Sequence, residues 1–388
     1  MMEEYQNIFN TESCIIDMGS DTIKAGLSSE EKPSLTFKSV IGTPKFNKIL
    51  PTGTEMEVVG PSKDIRGLYK LSRPIKRGLI SNMSDAKLLF NKVYNELKLV
   101  NHKDVPIFLT ESPFTPKKQK AEIAELLFES YDAPSIFFGT QGVLSLYAFG
   151  KTDGIVLETG GGVTQVVPIY NGYKLDHAVE KINFGGEDVS NYLKLLLRKN
   201  GIYIHSTSEL PLFNEMKESI CELKSVSKVD NKYNTKVPMS DLHDKKTEVI
   251  KYELPDGQVI DIGAERYFAP EILFNPSVAG LEFPGLHELL DNCIKRLDLD
   301  LRRSLYSSIY LSGGNSLING FSERLATEIE PLVSDKSKLS ITAANVDRTF
   351  LVWQGATSIA NINAFSKLWI TKQDMQEQGD RIFMMKTF

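Results

Sequence analysis

The sequence predicts an α/β protein built from two similar halves with a ligand between them. Apolar, strand-like runs alternate with amphipathic, helix-like runs along most of the 388 residues. One short pattern also occurs twice, since "IIDMGSDTIKAGL" around Asp17 and "VLETGGGVTQVVPI" around Glu158 both read strand, acid, glycine, strand. A pattern that recurs in register indicates a duplicated domain, and paired glycine hairpins indicate a ligand held between the halves.

Composition excludes several classes of protein. With 41% hydrophobic and 24% charged residues the chain is an ordinary globular one, and its net charge of −5 argues against a dedicated nucleic-acid binder. No apolar run approaches the roughly 20 residues of a membrane span, and "MMEEYQNIFN" is unlike a secretory signal. The three cysteines and five histidines are scattered and match no metal site. We interpret the cysteines as buried thiols in a reducing, cytoplasmic compartment.

The individual elements follow from periodicity and turn residues. Residues 14–43 predict short strands joined by turns. Helical apolar spacing predicts helices over 84–99, 117–131 and 142–150, with a buried strand at 105–113. Further along, the sequence predicts a polar surface excursion over 224–250, a hairpin over 251–263, and a strand, glycine turn and helix over 307–329.

The two glycine hairpins have the composition of a phosphate site. Glycine at a hairpin tip lets backbone N–H groups reach an anion without a Cβ in the way. The acids Asp17 and Glu158 would repel a phosphate unless a cation lay between, and Mg²⁺ is usually held by carboxylates through water. Lys24, which leaves the first hairpin, could neutralise phosphate charge. We therefore predict that the hairpins clamp a triphosphate with its metal.

A third glycine turn strengthens this interpretation. Gly313 and Gly314 stand between a buried strand and a helix start, where a sugar or base can approach the backbone. Taken alone, each glycine turn is an ordinary structural connection, and Lys217 and Glu218 are typical of a solvated helix face. Two hairpins in register, together with the third turn, favour a ligand.

These motifs, in this order, resemble actin and the actin-related proteins over residues 12–388. The resemblance is carried by "IIDMGSDTIKAGL", "FLTESPFTPKKQK", "GVLSLYAFGKTDGIVLETGGGVTQVVPIYNGY", "YELPDGQVIDIGAERYFAPEILF", "LDLDLRRSLYSSIYLSGGNSLINGF" and the closing "KTF". Within the family, the centractin type looks nearest, on "RGLYKLSRPIKRGLI" and "LLLRKNGIYIHSTSE".

The resemblance implies an actin-like ATPase fold, with two duplicated α/β domains that flank a nucleotide cleft and each carry a smaller outer lobe. The lobes would be 1–36, 74–148 and 342–388 (first inner), 37–73 (first outer), 149–184 and 282–341 (second inner), and 185–281 (second outer, with the polar insertion 224–250). The loop 45–60, with Ile49 and Leu50 at its tip, and Phe283 in "LEFPG" would contact other subunits.

The resemblance also implies that ATP or ADP binds in the cleft with Mg²⁺, which Ca²⁺ could replace in vitro. The nucleotide would be contacted by Gly19, Ser20, Asp21, Thr22, Lys24, Gly160, Gly161, Gly162, Val163, Gly186, Lys217, Glu218, Gly313, Gly314 and Leu317. Asp17 and Glu158 would hold the metal through water. Gln141 would position the attacking water, and with Glu158 and Gln165 it forms the expected catalytic set.

Five departures from the family pattern predict altered chemistry. Asp21 replaces a glycine of the first hairpin and adds a charge beside the phosphates. In the second hairpin Glu158 replaces an aspartate, Gly161 replaces a second acid, and Gln165 stands where actin has a histidine. Thr349 stands at the position of a lysine near the adenine. We therefore expect weakened binding of the nucleotide and at most slow ATP hydrolysis.

The resemblance favours a cytoskeletal, cytoplasmic protein that assembles with itself or with other actin-family subunits. Actin-binding-type partners would dock in a groove near Tyr147, Tyr173, Ile362 and Leu368, although such residues are as often ordinary boundary packing. Gln354 replaces an apolar residue of that groove, so not all partners would be shared.

Three alternatives stay open at this point. A nuclear actin-related subunit of a chromatin-remodelling complex would be favoured by large insertions, and only one modest insertion is visible. A small-molecule kinase of the same superfamily needs a general base near the terminal phosphate, and no spare aspartate marks one. A chaperone-type ATPase would need a further substrate-binding domain.

Overall fold

Two six-stranded sheets carry the fold. The computed structural model describes residues 12–45, 57–61, 68–99, 104–202, 209–224, 249–254, 257–333, 339–344 and 347–387. Its strands are β1 (Cys14–Met18), β2 (Thr22–Leu27), β3 (Leu35–Lys38), β4 (Ile41–Pro44), β5 (Val58–Val59), β6 (Tyr69–Ser72), β7 (Ile75–Lys76), β8 (Leu79–Ile80), β9 (Ile107–Glu111), β10 (Ser135–Thr140), β11 (Gly154–Thr159), β12 (Thr164–Tyr170), β13 (Tyr173–Lys174), β14 (Glu180–Ile182), β15 (Ile250–Glu253), β16 (Val259–Ile262), β17 (Ile309–Ser312), β18 (Ile341–Ala343) and β19 (Ile370–Thr371). Its α-helices are α1 (Met83–Glu96), α2 (Lys117–Ser130), α3 (Gln141–Ala148), α4 (Gly186–Lys199), α5 (Glu209–Ile220), α6 (Glu265–Glu271), α7 (Leu286–Lys295), α8 (Leu299–Tyr306), α9 (Phe321–Ile329), α10 (Leu351–Ala360), α11 (Lys372–Gln378) and α12 (Ile382–Met385).

The two sheets repeat one local arrangement. The first has the order β19–β10–β9–β1–β2–β3, and the second has the order β13–β12–β11–β17–β18 with β14 beside β12. In the first sheet β1 pairs antiparallel with β2 and parallel with β9. In the second, β11 pairs antiparallel with β12 and parallel with β17. The predicted α/β duplication is therefore confirmed, with one glycine hairpin at the corresponding place in each sheet.

Each sheet is buried in its own apolar core. Strand β11 is buried along its whole length, as expected for a continuous apolar run whose two faces are both covered. One core surrounds the first sheet and includes Phe90 and Leu127. The other surrounds the second sheet and includes Phe184 and Leu290. Separate cores give each hairpin its own rigid support.

Helices α3 and α10 cross at very close range. Gly355 in α10 lies so near the carbonyl of Leu144 in α3 that a Cβ there would collide with it. Trp353 and Leu144 share a third buried apolar cluster beside this crossing. Since α3 begins at Gln141, the crossing fixes where that side chain enters the space between the sheets.

Most predicted elements are present. The helices expected over 84–99, 117–131 and 142–150 are α1, α2 and α3, and the hairpin expected over 251–263 is β15–β16. The cysteines Cys14, Cys221 and Cys293 are buried and free, as expected. Among the described helices, none is long and apolar enough to cross a membrane.

Two predictions concern residues that lie outside those that the structure describes. The polar segment 224–250 lies almost entirely outside the described residues, and so do Ile49 and Leu50 at the tip of the predicted contact loop. The lobe boundaries given above stay a prediction.

Candidate functional site

A cavity of about 610 Å³ lies between the two glycine hairpins. This size falls within the roughly 300–1,000 Å³ of typical small-molecule and cofactor sites. Most residues predicted from the sequence line it: Asp17, Gly19, Ser20, Asp21, Thr22, Lys24, Gln141, Glu158, Gly160, Gly161, Gly162, Val163, Lys217, Glu218, Gly313, Gly314 and Leu317. Gln165 and Gly186 do not line it, and each lies directly behind a lining residue.

The two hairpins approach each other so closely that glycine is needed where they meet. A Cβ on Gly162 would lie 2.8 Å from Oγ of Ser20, and a Cβ on Gly161 would lie 2.7 Å from Cβ of Asp21. Contacts this short do not occur between real side chains, so one hairpin must lack a Cβ wherever the other carries one. The cavity wall therefore depends on glycines in the second hairpin.

Asp17 is a buried carboxylate at the base of the first hairpin. It is 2% exposed, and Nζ of Lys24 lies 2.7 Å from its Oδ2. The hydroxyl of Thr110 donates to Oδ1 at 2.6 Å. Lys24 was expected to neutralise phosphate charge, but in the structure its charge already balances Asp17.

Glu158 is the matching carboxylate of the second hairpin. It is 8% exposed, and Nε2 of Gln165 donates to its Oε2 at 2.8 Å. Burial raises the pKa of Glu158 to about 7, and nearby Asp17 adds to the rise while Gln165 and Lys24 oppose it. At neutral pH the protonated and ionised forms of this carboxyl group are therefore both populated.

Gln165 connects the two catalytic candidates from behind the cavity. Its Nε2 also lies 3.4 Å from Oε1 of Gln141, and its own Oε1 accepts from the hydroxyl of Ser112 at 3.0 Å. Nε2 of Gln141 in turn donates towards Oδ1 of Asp17 at 3.3 Å. The structure thus brings the expected catalytic set together in one buried network, and it adds Ser112, which the sequence did not indicate.

Asp21, the added acid of the first hairpin, has partners that the sequence did not indicate. Nζ of Lys38 lies 2.7 Å from its carboxylate, and a guanidinium nitrogen of Arg73 lies at 3.7 Å. The amide of Asn214 donates to it at 3.0 Å. Burial disfavours the charged form, but Lys38 and Arg73 outweigh burial and hold the pKa of Asp21 below its ordinary value. The added charge that the sequence predicts lines the cavity, and two cations already balance it.

Two pairs of opposite charges bridge the sheets on one side of the cavity. Two guanidinium nitrogens of Arg77 donate to the carboxylate of Asp188 at 2.6 and 2.8 Å. Arg77 also donates to the carbonyl of Gly162 at 3.1 Å. Arg73 lies 3.2 Å from Glu187. Glu187 and Asp188 stand in the first turn of α4, where acids are favourable. We call these four side chains the arginine bridge, which the sequence analysis did not predict.

Lys217 corrects a second expectation. The sequence favoured a solvated helix face, but Lys217 is 7% exposed and donates to the carbonyl of Gly186 at 3.2 Å. Burial lowers the pKa of Lys217, and Asp21 opposes the change. A Cβ on Gly186 would lie 2.6 Å from the ammonium. Glu218, by contrast, is exposed at the cavity rim as expected.

The third glycine turn is tied to the second hairpin. Gly313 has a φ of +85° and sits so close to Thr159 that a Cβ would strike its carbonyl. Asn315 donates to Oγ1 of Thr159 at 3.1 Å and to the carbonyl of Gly160 at 2.8 Å. Asn315, which the sequence did not single out, therefore holds the turn against the phosphate-type hairpin.

The comparisons with known proteins agree with the geometry. The sequence profile of the actin family matches residues 9–388. An actin-like protein of Neurospora crassa is 37% identical over 371 residues, which cover 95% of this chain and 96% of that protein. The chain belongs to the actin family. Proteins that have the fold of this family normally bind a nucleotide together with a divalent cation.

The residues present suit such a ligand. Glycine backbone on two hairpins can face an anion, and buried Asp17 and Glu158 offer oxygen donors to a hard cation. Among the described residues, no group of three or more His, Cys, Asp or Glu side chains could form a protein cage for a metal. Two carboxylates suit Mg²⁺ that keeps several of its own waters. As a member of the actin family, this chain thus retains a cavity of the expected chemistry.

A prediction follows from the contact between Asp21 and Gly161. Gly161→Ala should lower the free energy of unfolding by about 1–3 kcal/mol, because the new Cβ overlaps Asp21. In an Asp21→Gly background the same change should cost little, so a double-mutant cycle by chemical denaturation should show strong coupling. Gly160→Ala is the matched control, since its Cβ would meet only Val163 O, at 3.6 Å. Equal costs for Gly161→Ala in both backgrounds would contradict the proposed overlap.

A second prediction follows from the pKa of Glu158. Between pH 5 and 7 the folded protein keeps a proton that the unfolded chain has lost, because the pKa rises from an ordinary 4.5 to about 7 on folding. The free energy of unfolding should therefore fall as pH rises through this window, by up to about 1.4 kcal/mol per pH unit from this group. Glu158→Gln, measured without nucleotide or metal, should remove that slope. The exposed Glu122→Gln should keep it, and an unchanged slope in Glu158→Gln would refute the assignment.

Proposed function

We propose that this chain binds Mg–ATP or Mg–ADP in the cavity between the hairpins and acts through assembly into a filament or a multisubunit complex. The observation that carries the proposal is the convergence of two glycine hairpins and two buried carboxylates on one cavity. Family membership supports it. The proposed setting is the cytoplasmic cytoskeleton, with a nuclear complex as the alternative.

The phosphates, the metal ion, and the sugar and base would each contact a different part of the cavity. Backbone N–H groups of Ser20–Thr22 and Gly161–Val163 would face the phosphates, while Asp17 and Glu158 would hold the waters of the metal ion. A bound Mg²⁺ would screen the phosphate charge. Buried Lys217, with the turn at 313–314, would lie against the sugar and base.

Hydrolysis should be weak even when nucleotide is bound. Turnover needs a water aligned for attack and a group that accepts its proton. Oε1 of Gln141, the expected water acceptor, already receives the amide of Gln165 at 3.4 Å. Gln165 itself cannot titrate near neutral pH as a histidine would. Burial raises the pKa of Glu158 to about 7, so any residual turnover should depend on this acid.

Assembly is supported by exposed apolar side chains at the surfaces expected to contact partners. Phe283 in the segment 281–285 is 40% exposed, and its ring centroid lies 6.1 Å from that of Phe184. It is thus anchored on one side and available on the other, as a contact residue would be. In the proposed groove Tyr173 and Ile362 are also exposed.

The nucleotide proposal predicts the effect of Asp21. Asp21→Gly should tighten Mg–ADP binding by about 5- to 150-fold (1–3 kcal/mol), because it removes a negative charge and leaves Lys38 and Arg73 to the phosphates. Calorimetry on nucleotide-free protein measures this. Glu122→Gln removes a distant charge and should change nothing. An empty cavity at millimolar Mg–ADP would overturn the proposed function, whereas weaker binding by Asp21→Gly would overturn only the charge argument.

The assembly proposal predicts concentration-dependent growth of particles. Sedimentation and electron microscopy with Mg–ATP should show filaments or a defined complex, and Phe283→Ser should shift assembly to at least tenfold higher concentration, as loss of a contact anchor would. Phosphate release in the same samples should be slow or undetectable. Tyr170→Ser, another exposed aromatic, is the control. A strictly monomeric protein without stable partners in cell extracts, or actin-like phosphate release, would count against the proposal.

A further inference from the structure

A buried serine stands behind the carboxylates of the cavity. Ser112 follows β9, is 3% exposed, and donates its hydroxyl to Oε1 of Gln165 at 3.0 Å. Its backbone carbonyl accepts from the hydroxyl of Thr115 at 2.7 Å. A Cβ on Gly78 would lie 3.2 Å from Cβ of Ser112, so the serine is packed closely on that side. Ser112 does not line the cavity, and neither does its partner Gln165.

The surroundings of Gln165 allow one orientation of its amide. The nitrogen end faces two oxygens, Oε2 of Glu158 at 2.8 Å and Oε1 of Gln141 at 3.4 Å. When Glu158 is ionised, as it must be to hold a cation, the reverse orientation would set the amide oxygen against both of them, which is repulsive. The oxygen end must therefore face Ser112, and the serine hydroxyl must act as the donor.

This orientation is passed on through the network. Gln165 donates to Glu158 and towards Gln141, and the amide of Gln141 then donates towards Asp17. The carboxylates of Asp17 and Glu158 thus each receive an N–H group, from Gln141 and Gln165 respectively. A carboxylate held in this way presents its remaining lone pairs in a fixed direction, as groups behind metal ligands commonly ensure.

We propose that Ser112 is a positioning residue for the divalent cation of this site, acting on Glu158 through Gln165. The inference rests on the proposed nucleotide function and adds to it, because Ser112 touches neither nucleotide nor metal. Without the hydroxyl, Oε1 of Gln165 becomes a buried acceptor that loses its donor, which favours rotation of the amide away from Glu158.

The experiment separates the metal from the nucleotide. ADP affinity is measured with Mg²⁺ and with EDTA in wild type and in Ser112→Ala. The affinity gain due to Mg²⁺ should fall by about tenfold in Ser112→Ala, the low end for groups behind metal ligands, while affinity in EDTA stays within about twofold. Ser112→Cys, which keeps a weak donor, should show a smaller loss and serves if Ser112→Ala does not fold. Ser28→Ala, which removes another buried hydroxyl that accepts from Ser13 N at 3.1 Å, should keep the full gain.

A double variant tests whether Ser112 acts through Gln165. Gln165→Met fills a similar volume without an amide, so Ser112→Ala should cause no further loss of the Mg²⁺ gain there. Equal losses with Mg²⁺ and EDTA, an undiminished gain in Ser112→Ala, or a further loss in the Gln165→Met background would overturn the inference. Wild type that binds no ADP would overturn the proposed function, and wild type that binds ADP without any Mg²⁺ gain would overturn the inference alone.

Discussion

The close approach of the two hairpins is the constraint on which the site depends. Each hairpin is carried by its own sheet and its own apolar core, yet their tips come within contact distance at Asp21 and Gly161. A side chain on one tip occupies the space that a side chain on the other would need. In this chain the carboxylate stands on the first hairpin, at Asp21, and the glycine that leaves room for it stands on the second, at Gly161.

Charge balance around the cavity follows from the same arrangement. Asp17 is matched by Lys24, and Asp21 is matched by Lys38 and Arg73. Among the residues that the structure describes, Glu158 has no ion pair of this kind, and burial raises its pKa to about 7. The cavity thus carries its own counter-charges before any ligand enters, and a phosphate would compete with Asp21 for cations that the protein already uses.

Sequence reasoning succeeded where the signal is local. Periodicity and glycine position within short windows predicted the hairpins around Asp17 and Glu158 and the helices α1 and α2. They also predicted the alternation of strands and helices along the chain. It failed where partners come from distant segments. The sequence predicted a charge at Asp21 but could not show its contact with Asn214, which lies 193 residues away, and helical periodicity could not show that the polar face bearing Lys217 turns towards a cavity. Ser112 was missed because a serine after a strand has no distinctive pattern.

The arginine bridge has a mechanical consequence. Arg73 and Arg77 join the segment before α1 to the first turn of α4, and their side chains are only partly shielded from solvent. The halves cannot hinge apart along this side until both contacts break. Ions in solution screen such partly exposed pairs, with a Debye length of about 8 Å at physiological ionic strength. The frequency of opening, and hence the residence time of anything held inside, is therefore tied to the surrounding electrolyte as well as to contacts with the occupant.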